Sequence, residues 1–202
     1  MKLYIHYCSY GFSNCYVLGA DDGAEAIIID PGSMDGQLLE SIEKNNFLLS
    51  AVLLTHDHKG HVNGLRTLGR IYQMKVIAIN RVVQDIRTSR VKDGDIFSIG
   101  PFDIEVISVP GHSADSVVYR IGSMLFTGDA LTSGLVGPTD SAYGKKTLVN
   151  ALRSRLFSLP GDYTVFPGHG PPSTLEAERR YNVGINRFND TQNRKPGFRL
   201  GS

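Results

Sequence analysis

Ala51-Val52-Leu53-Leu54 runs without a break into Thr55-His56-Asp57-His58-Lys59-Gly60-His61. The first four residues form a short, wholly apolar run, the mark of a strand buried on both faces. Three histidines then crowd its carboxyl end. The figure recurs downstream. Val106-Ile107-Ser108-Val109-Pro110 leads into Gly111-His112, Met124-Leu125-Phe126-Thr127 into Gly128-Asp129, and Thr164-Val165-Phe166-Pro167 into Gly168-His169. In α/β proteins the carboxyl ends of strands collect on one edge, where ligands bind. Four such ends predict one cluster built from His56, His58, His61, His112, Asp129 and His169. Imidazole nitrogen and carboxylate oxygen are ligands for Zn²⁺, and also for iron or manganese. Any single strand-end histidine reads equally well as an ordinary hydrogen-bonded polar residue, and His-x-His alone arises by chance. The fourfold repetition carries the metal reading. His6, on the first strand, reads as structural.

On either side of these motifs, β-rich runs alternate with helical patterns. Strands are expected at Lys2–Tyr7, Tyr16–Leu18, Ala26–Ile29, Ala51–Leu54, Val76–Ile79, Ile96–Ile99, from Phe102 to Val109, and at Val117–Ile121, Met124–Thr127 and Thr164–Phe166. Leu38, Leu39 and Ile42 share one face of a helix over Gly36–Asn45, and Leu65, Leu68 and Tyr72 repeat at helical spacing. Leu148, Leu152, Leu156 and Leu159 line a helix ending at Pro160-Gly161. Ser173-Thr174-Leu175-Glu176 reads as a capping box opening the last helix. Beyond Asn189 the chain turns polar. One α/β domain over 1–190 with a loose tail, 191–202, is the expectation.

The 202 residues are 41% hydrophobic and 20% charged, which excludes a disordered chain. Lys plus Arg is 21 against 20 Asp plus Glu, so nucleic acid and anionic membranes are not expected partners. No apolar run approaches the ~18 residues of a membrane span. Met1-Lys2-Leu3-Tyr4-Ile5-His6 lacks the apolar stretch of a signal peptide. Two cysteines, Cys8 and Cys15, make no disulfide framework, so a reduced, cytoplasmic protein is expected.

Thr55-His56-Asp57-His58-Lys59-Gly60-His61 resembles the T-H-x-H-x-D-H metal motif of the metallo-β-lactamase superfamily. Pro110-Gly111-His112-Ser113, Phe126-Thr127-Gly128-Asp129 and Phe166-Pro167-Gly168-His169-Gly170-Pro171 match its later pieces in order, and Asn14-Cys15-Tyr16 and Ile29-Asp30-Pro31-Gly32 its earlier ones. The resemblance implies a four-layer αββα sandwich, two mixed β-sheets between outer helices. Within the superfamily the chain is most similar to small glyoxalase II-like hydrolases, which it also resembles at Gly137-Pro138-Thr139-Asp140, where Pro138 replaces an Arg. The match implies His56, His58 and His112 for a first metal, Asp129 as bridging carboxylate, and His61 and His169 for a second. One position departs: the family aspartate before the last motif histidine is Gly60 here. The second site is therefore expected to be weaker, with one or two ions bound. Asp57, between two ligands, is expected to point away from them. The residues after His169 are too few for the glutathione-binding helical domain of full-length glyoxalase II.

The implied activity is hydrolysis of a small-molecule thioester or related acyl compound by a metal-bound hydroxide, with Asp129 or Asp57 as proton acceptor. Tyr143, Lys145 and Lys146 are placed to receive a substrate carboxylate, or else form an ordinary solvated loop. The competing readings are a mononuclear iron persulfide dioxygenase and a non-catalytic metal-binding relative. β-Lactamase activity does not follow from superfamily likeness alone.

Overall fold

Strands buried on both faces need a covering layer on each side, and the helices supply it. The computed structural model describes residues 1–21 and 25–186, so the expected tail at 191–202 lies outside the described residues. The first half contains β1 (Lys2–Tyr7), β2 (Asn14–Gly19), β3 (Glu25–Ile29), α1 (Gly36–Lys44), β4 (Leu48–Leu53), α2 (Lys59–Val62), α3 (Leu65–Ile71) and β5 (Lys75–Ala78). A small ribbon, β6 (Val82–Val83) and β7 (Ile86–Arg87), precedes β8 (Ser89–Arg90). The second half contains β9 (Ile96–Ile99), β10 (Phe102–Ser108), β11 (Val117–Ile121), β12 (Met124–Gly128), a ribbon of β13 (Leu131–Thr132) and β14 (Leu135–Val136), and α4 (Ala142–Ala151). Then follow β15 (Thr164–Pro167), β16 (Ser173–Thr174) and α5 (Leu175–Tyr181).

Two six-stranded sheets form, in the orders β1-β2-β3-β4-β5-β8 and β16-β15-β12-β11-β10-β9. Both are mixed. β3, β4, β5 and β8 run parallel, as do β12 and β15, while the other neighbours are antiparallel. The period of two sends alternate residues of one strand to different cores. Tyr16, Leu18, Ile27, Ile29 and Leu53 meet Ile104, Tyr119, Phe126 and Phe166 between the sheets. Val17, Ile28 and Val52 turn the other way, onto Leu38 and Ile42 of α1 and Leu65 and Leu68 of α3. On the far side Val118, Leu125 and Val165 pack against Leu148 and Val149 of α4 and Leu175 of α5. These three cores separate four layers, αββα, as the resemblance implied.

Two local details differ from the expectation. The leucine-lined helix stops at Ala151 and widens into a π-turn over Leu152–Leu156, rather than continuing to Pro160. The cap of α5 is Thr174, whose hydroxyl accepts from the Ala177 N–H at 3.2 Å. Ser173 cannot serve, because it pairs with Val165 in the sheet and its hydroxyl donates to Glu178. Among the described residues no helix is long and apolar enough to cross a membrane.

Candidate metal centre

The strand ends meet as the parallel pairing requires. β4 runs into Thr55, which is buried beside Asp30 at the end of β3. Asp30 is itself buried, with φ +52°, and its carboxylate accepts from the Thr55 N–H at 2.8 Å and the Thr55 hydroxyl at 2.6 Å. It also holds His61 Nδ1 at 3.2 Å. The strand-end rule applied to β3 identifies Asp30 from sequence, but as a clamp: its oxygens are engaged with Thr55 and His61. At the opposite side Asn14 of β2 ties down the end of β15. Its side-chain amide donates to the Pro167 and Gly170 carbonyls at 3.0 and 2.7 Å, and its own N–H to Gly168 at 2.7 Å. His169 is thereby fixed to the first sheet.

His56, His58 and His112 bring their ring nitrogens together. His112 Nε2 lies 3.3 Å from His56 Nε2 and 2.9 Å from His58 Nδ1. Asp129 Oδ2 stands 3.9 Å from His56 Nε2 and 3.8 Å from His112 Nε2. Ligands at bonds of about 2.0–2.1 Å around a tetrahedral ion sit about 3.4 Å apart, so the three histidine nitrogens fit one ion, with Asp129 beside two of them. The hydrogen bonding points the same way. The Thr55 hydroxyl gives its hydrogen to Asp30, so His56 Nδ1, 3.0 Å from that oxygen, is the donor there. His112 Nδ1 donates to the Pro138 carbonyl at 2.7 Å. Both Nε2 atoms then carry bare lone pairs that face each other, an arrangement a cation between them relieves. Burial, with His61 close by, holds the His56 pKa down at about 3, so this ring is neutral and able to ligate.

His61, Asp129 and His169 form a second group within reach of one ion. His61 is buried, and its Nε2 has no hydrogen-bond partner, lying 3.4 Å from Asp129 Oδ2. Burial lowers the His61 pKa, but Asp129 and Asp30 outweigh it and raise it to about 10. Burial raises that of Asp129, yet the bond from His169 and the nearby His61 hold its carboxyl well below the usual carboxylate range. His169 is engaged on both nitrogens, with Asp129 Oδ1 at 2.7 Å and the Gly11 carbonyl at 3.0 Å. Its bond to Asp129 raises its pKa. Gly168 is obligatory beside them, since a Cβ there would stand 2.4 Å from Asp129 Oδ1 and 2.6 Å from His61 Cε1.

Gly60 adds no ligand to the second group. A Cβ at this position would meet nothing closer than Gly11 Cα at 3.6 Å. Asp57 does not substitute: it is exposed, belongs to none of the three His/Asp groups (the third is Asp30, His56 and His61), and offers its N–H to Asp115 at 3.0 Å. His6 is remote in role, bonding the α1 cap Asp35 at 3.0 Å. Tyr143 lies on the exposed face of α4 and lines a cleft of about 340 Å³ together with Pro110, His112, Ser113, Asp140 and Ser141. Lys145 is exposed and outside that lining.

The human mitochondrial persulfide dioxygenase ETHE1 is 34% identical over 178 residues, 83% of this chain and 69% of its own. Hydroxyacylglutathione hydrolase GloC of Haemophilus influenzae is 28% identical over 197 residues, 86% of this chain and 92% of its own. Among solved structures, the BLEG-1 B3 metallo-beta-lactamase superposes with a TM-score of 0.82 at 25% identity, covering 91% of this chain and 99% of that one. Proteins of this fold bind zinc or iron and act on small molecules. Residues 9–169, which span every strand-end ligand candidate, match the family model for these proteins, and the chain belongs to the metallo-beta-lactamase superfamily.

Proposed function

We propose that this protein is a metal-dependent hydrolase that cleaves a small-molecule thioester or related acyl substrate, with its principal ion held by His56, His58, His112 and Asp129. The observation that carries the reading is the pair of facing Nε2 lone pairs at 3.3 Å, beside a cleft that reaches His112. A zinc ion there would supply Lewis acidity toward a carbonyl and would lower the pKa of a water to near neutral. The protein's own residues do the rest. Pro138 and Thr55 fix the tautomers of His112 and His56. Asp129 stays ionised and faces both groups of histidines. The cleft between the His112 loop and α4 positions the acyl group, with Tyr143 at its mouth. Asp129 is too weak a base to collect the proton. Asp57, raised by partial desolvation and by Asp115, is the better acceptor at the rim. The match to GloC over nearly its whole length supports hydrolysis.

Gly60 supports a second reading, a mononuclear iron persulfide dioxygenase, because only one group retains its full complement of ligands. Metal analysis after native expression, thioester turnover and oxygen consumption with glutathione persulfide separate the two. The hydrolase reading requires thioester turnover that is lost in His112→Ala; oxygen uptake without hydrolysis overturns it.

A further inference from the structure

Beyond the metal ligands, β5 obeys the same strand-end logic, and its continuation is strongly basic. β5 leads through Ile79 and Asn80 to Arg81, while Arg87 and Arg90 arrive from β7 and β8. Arg81, Arg87 and Arg90, with Val82 and Thr88, line one cleft of about 580 Å³. All three arginines are exposed, and none makes an ion pair among the described residues. The nearby Asp85 is already taken by Arg66. The cleft is also held in shape. Val82 pairs with Arg87 across a two-residue turn whose Gln84 and Asp85 both have positive φ, and the Thr88 N–H donates to the Arg81 carbonyl at 3.1 Å. The Arg90 Nε donates to the Ile79 carbonyl at 3.2 Å, which orients its guanidinium. Three guanidinium groups around one recess, uncompensated by carboxylates, make a receptor for a carboxylate or a phosphate.

Asn80 ties this cleft to the metal centre. Its side-chain amide donates to Asp115 Oδ2 at 2.9 Å, the same oxygen that accepts the N–H of Asp57, between His56 and His58. We propose that the Arg81–Arg87–Arg90 cleft binds the anionic arm, carboxylate or phosphate, of the small-molecule substrate while its reactive group lies at the metal centre. The proposal rests on the small-molecule substrate reading above.

The test has a binding arm independent of turnover. Succinate and inorganic phosphate are titrated into the metal-loaded protein, with succinamide as the uncharged control, following the arginine Nε–H resonances. Arg81, Arg87 and Arg90 signals shift saturably with either anion, and Arg81→Gln/Arg87→Gln weakens that binding by about tenfold. Equal shifts with succinamide, or no saturation with either anion, overturn the proposal, as does a nucleic-acid oligomer that binds through the same arginines far more tightly. In the kinetic arm, a carboxylate-bearing thioester is compared with its neutral amide analogue. The double variant raises KM for the charged substrate alone and leaves kcat within twofold. Anion binding without thioester turnover sinks the hydrolase and keeps the cleft; turnover blind to charge and to the variant sinks the cleft and keeps the hydrolase.

Discussion

Gly60→Asp is expected to tighten the binding of a second metal ion at His61, Asp129 and His169 by at least about tenfold, or about 1.4 kcal/mol. The backbone permits the change. Gly60 lies outside the left-handed region, and an added Cβ has 3.6 Å to its nearest neighbour, an ordinary contact. Gly11 does not have this freedom: with φ +78°, its own Cβ would fall 2.6 Å from Gly60 Cα. The new carboxylate joins a group in which His61 Nε2 is buried with no partner. A hydrogen bond to a charged group contributes about 1.5–3 kcal/mol, and on that scale tenfold is the lower end of the expected gain. Wild type and variant are stripped of metal, titrated with zinc against a chelating dye at one pH, and their stoichiometries counted. A wild type that already holds two ions as tightly as the variant refutes this expectation, since another group then fills the space at Gly60. A variant that fails to fold shows itself separately, as a lost thermal transition.

His58→Ala should lose metal and activity together, whereas His6→Ala should keep its metal and lose only the bond to the α1 cap; plasma emission analysis of both distinguishes ligand from structural histidine. Gly168→Ala drives a methyl into Asp129 and His61, so a destabilisation of about 1–3 kcal/mol with loss of metal is expected, and unchanged metal content and melting would contradict the packing described. In the metal-free protein the His61 pKa is raised to about 10, so its stabilisation is fully present below the unfolded value and is lost as pH rises through 10. The metal-free Tm should therefore fall as pH rises from 7 to 10; a Tm that stays constant over that range would refute this.

The strand ends were legible because burial and chemistry sit side by side in the chain. Val52 and Leu53 are apolar for two different cores, and the polar residues that follow them mark the shared edge. The αββα layering itself came from the family resemblance, since alternate residues of β2, β3 and β4 feeding different cores look simply hydrophobic in a linear reading. The supports of the site were less visible, being joined across long separations. Asp30 clamps His61, Gly11 approaches both Gly60 and His169, and the Pro138 carbonyl fixes His112. Backbone carbonyls carry no residue-specific signal. The shift of the α5 cap from Ser173 to Thr174 has a similar origin: pairing in β16 overrides the local capping pattern. Gly60, by contrast, was readable only as a departure from a motif, and the structure supplies its surroundings.

His56, His58 and His112, backed by Asp129, are expected to hold one metal ion. Anomalous diffraction from crystals of the natively loaded protein tests it most directly. A single strong peak is expected at about 2.0–2.3 Å from His56 Nε2, His58 Nδ1 and His112 Nε2, with weak or no density between His61 and His169. A peak only between His61 and His169, or none among the three first nitrogens in metal-replete protein, would contradict the account.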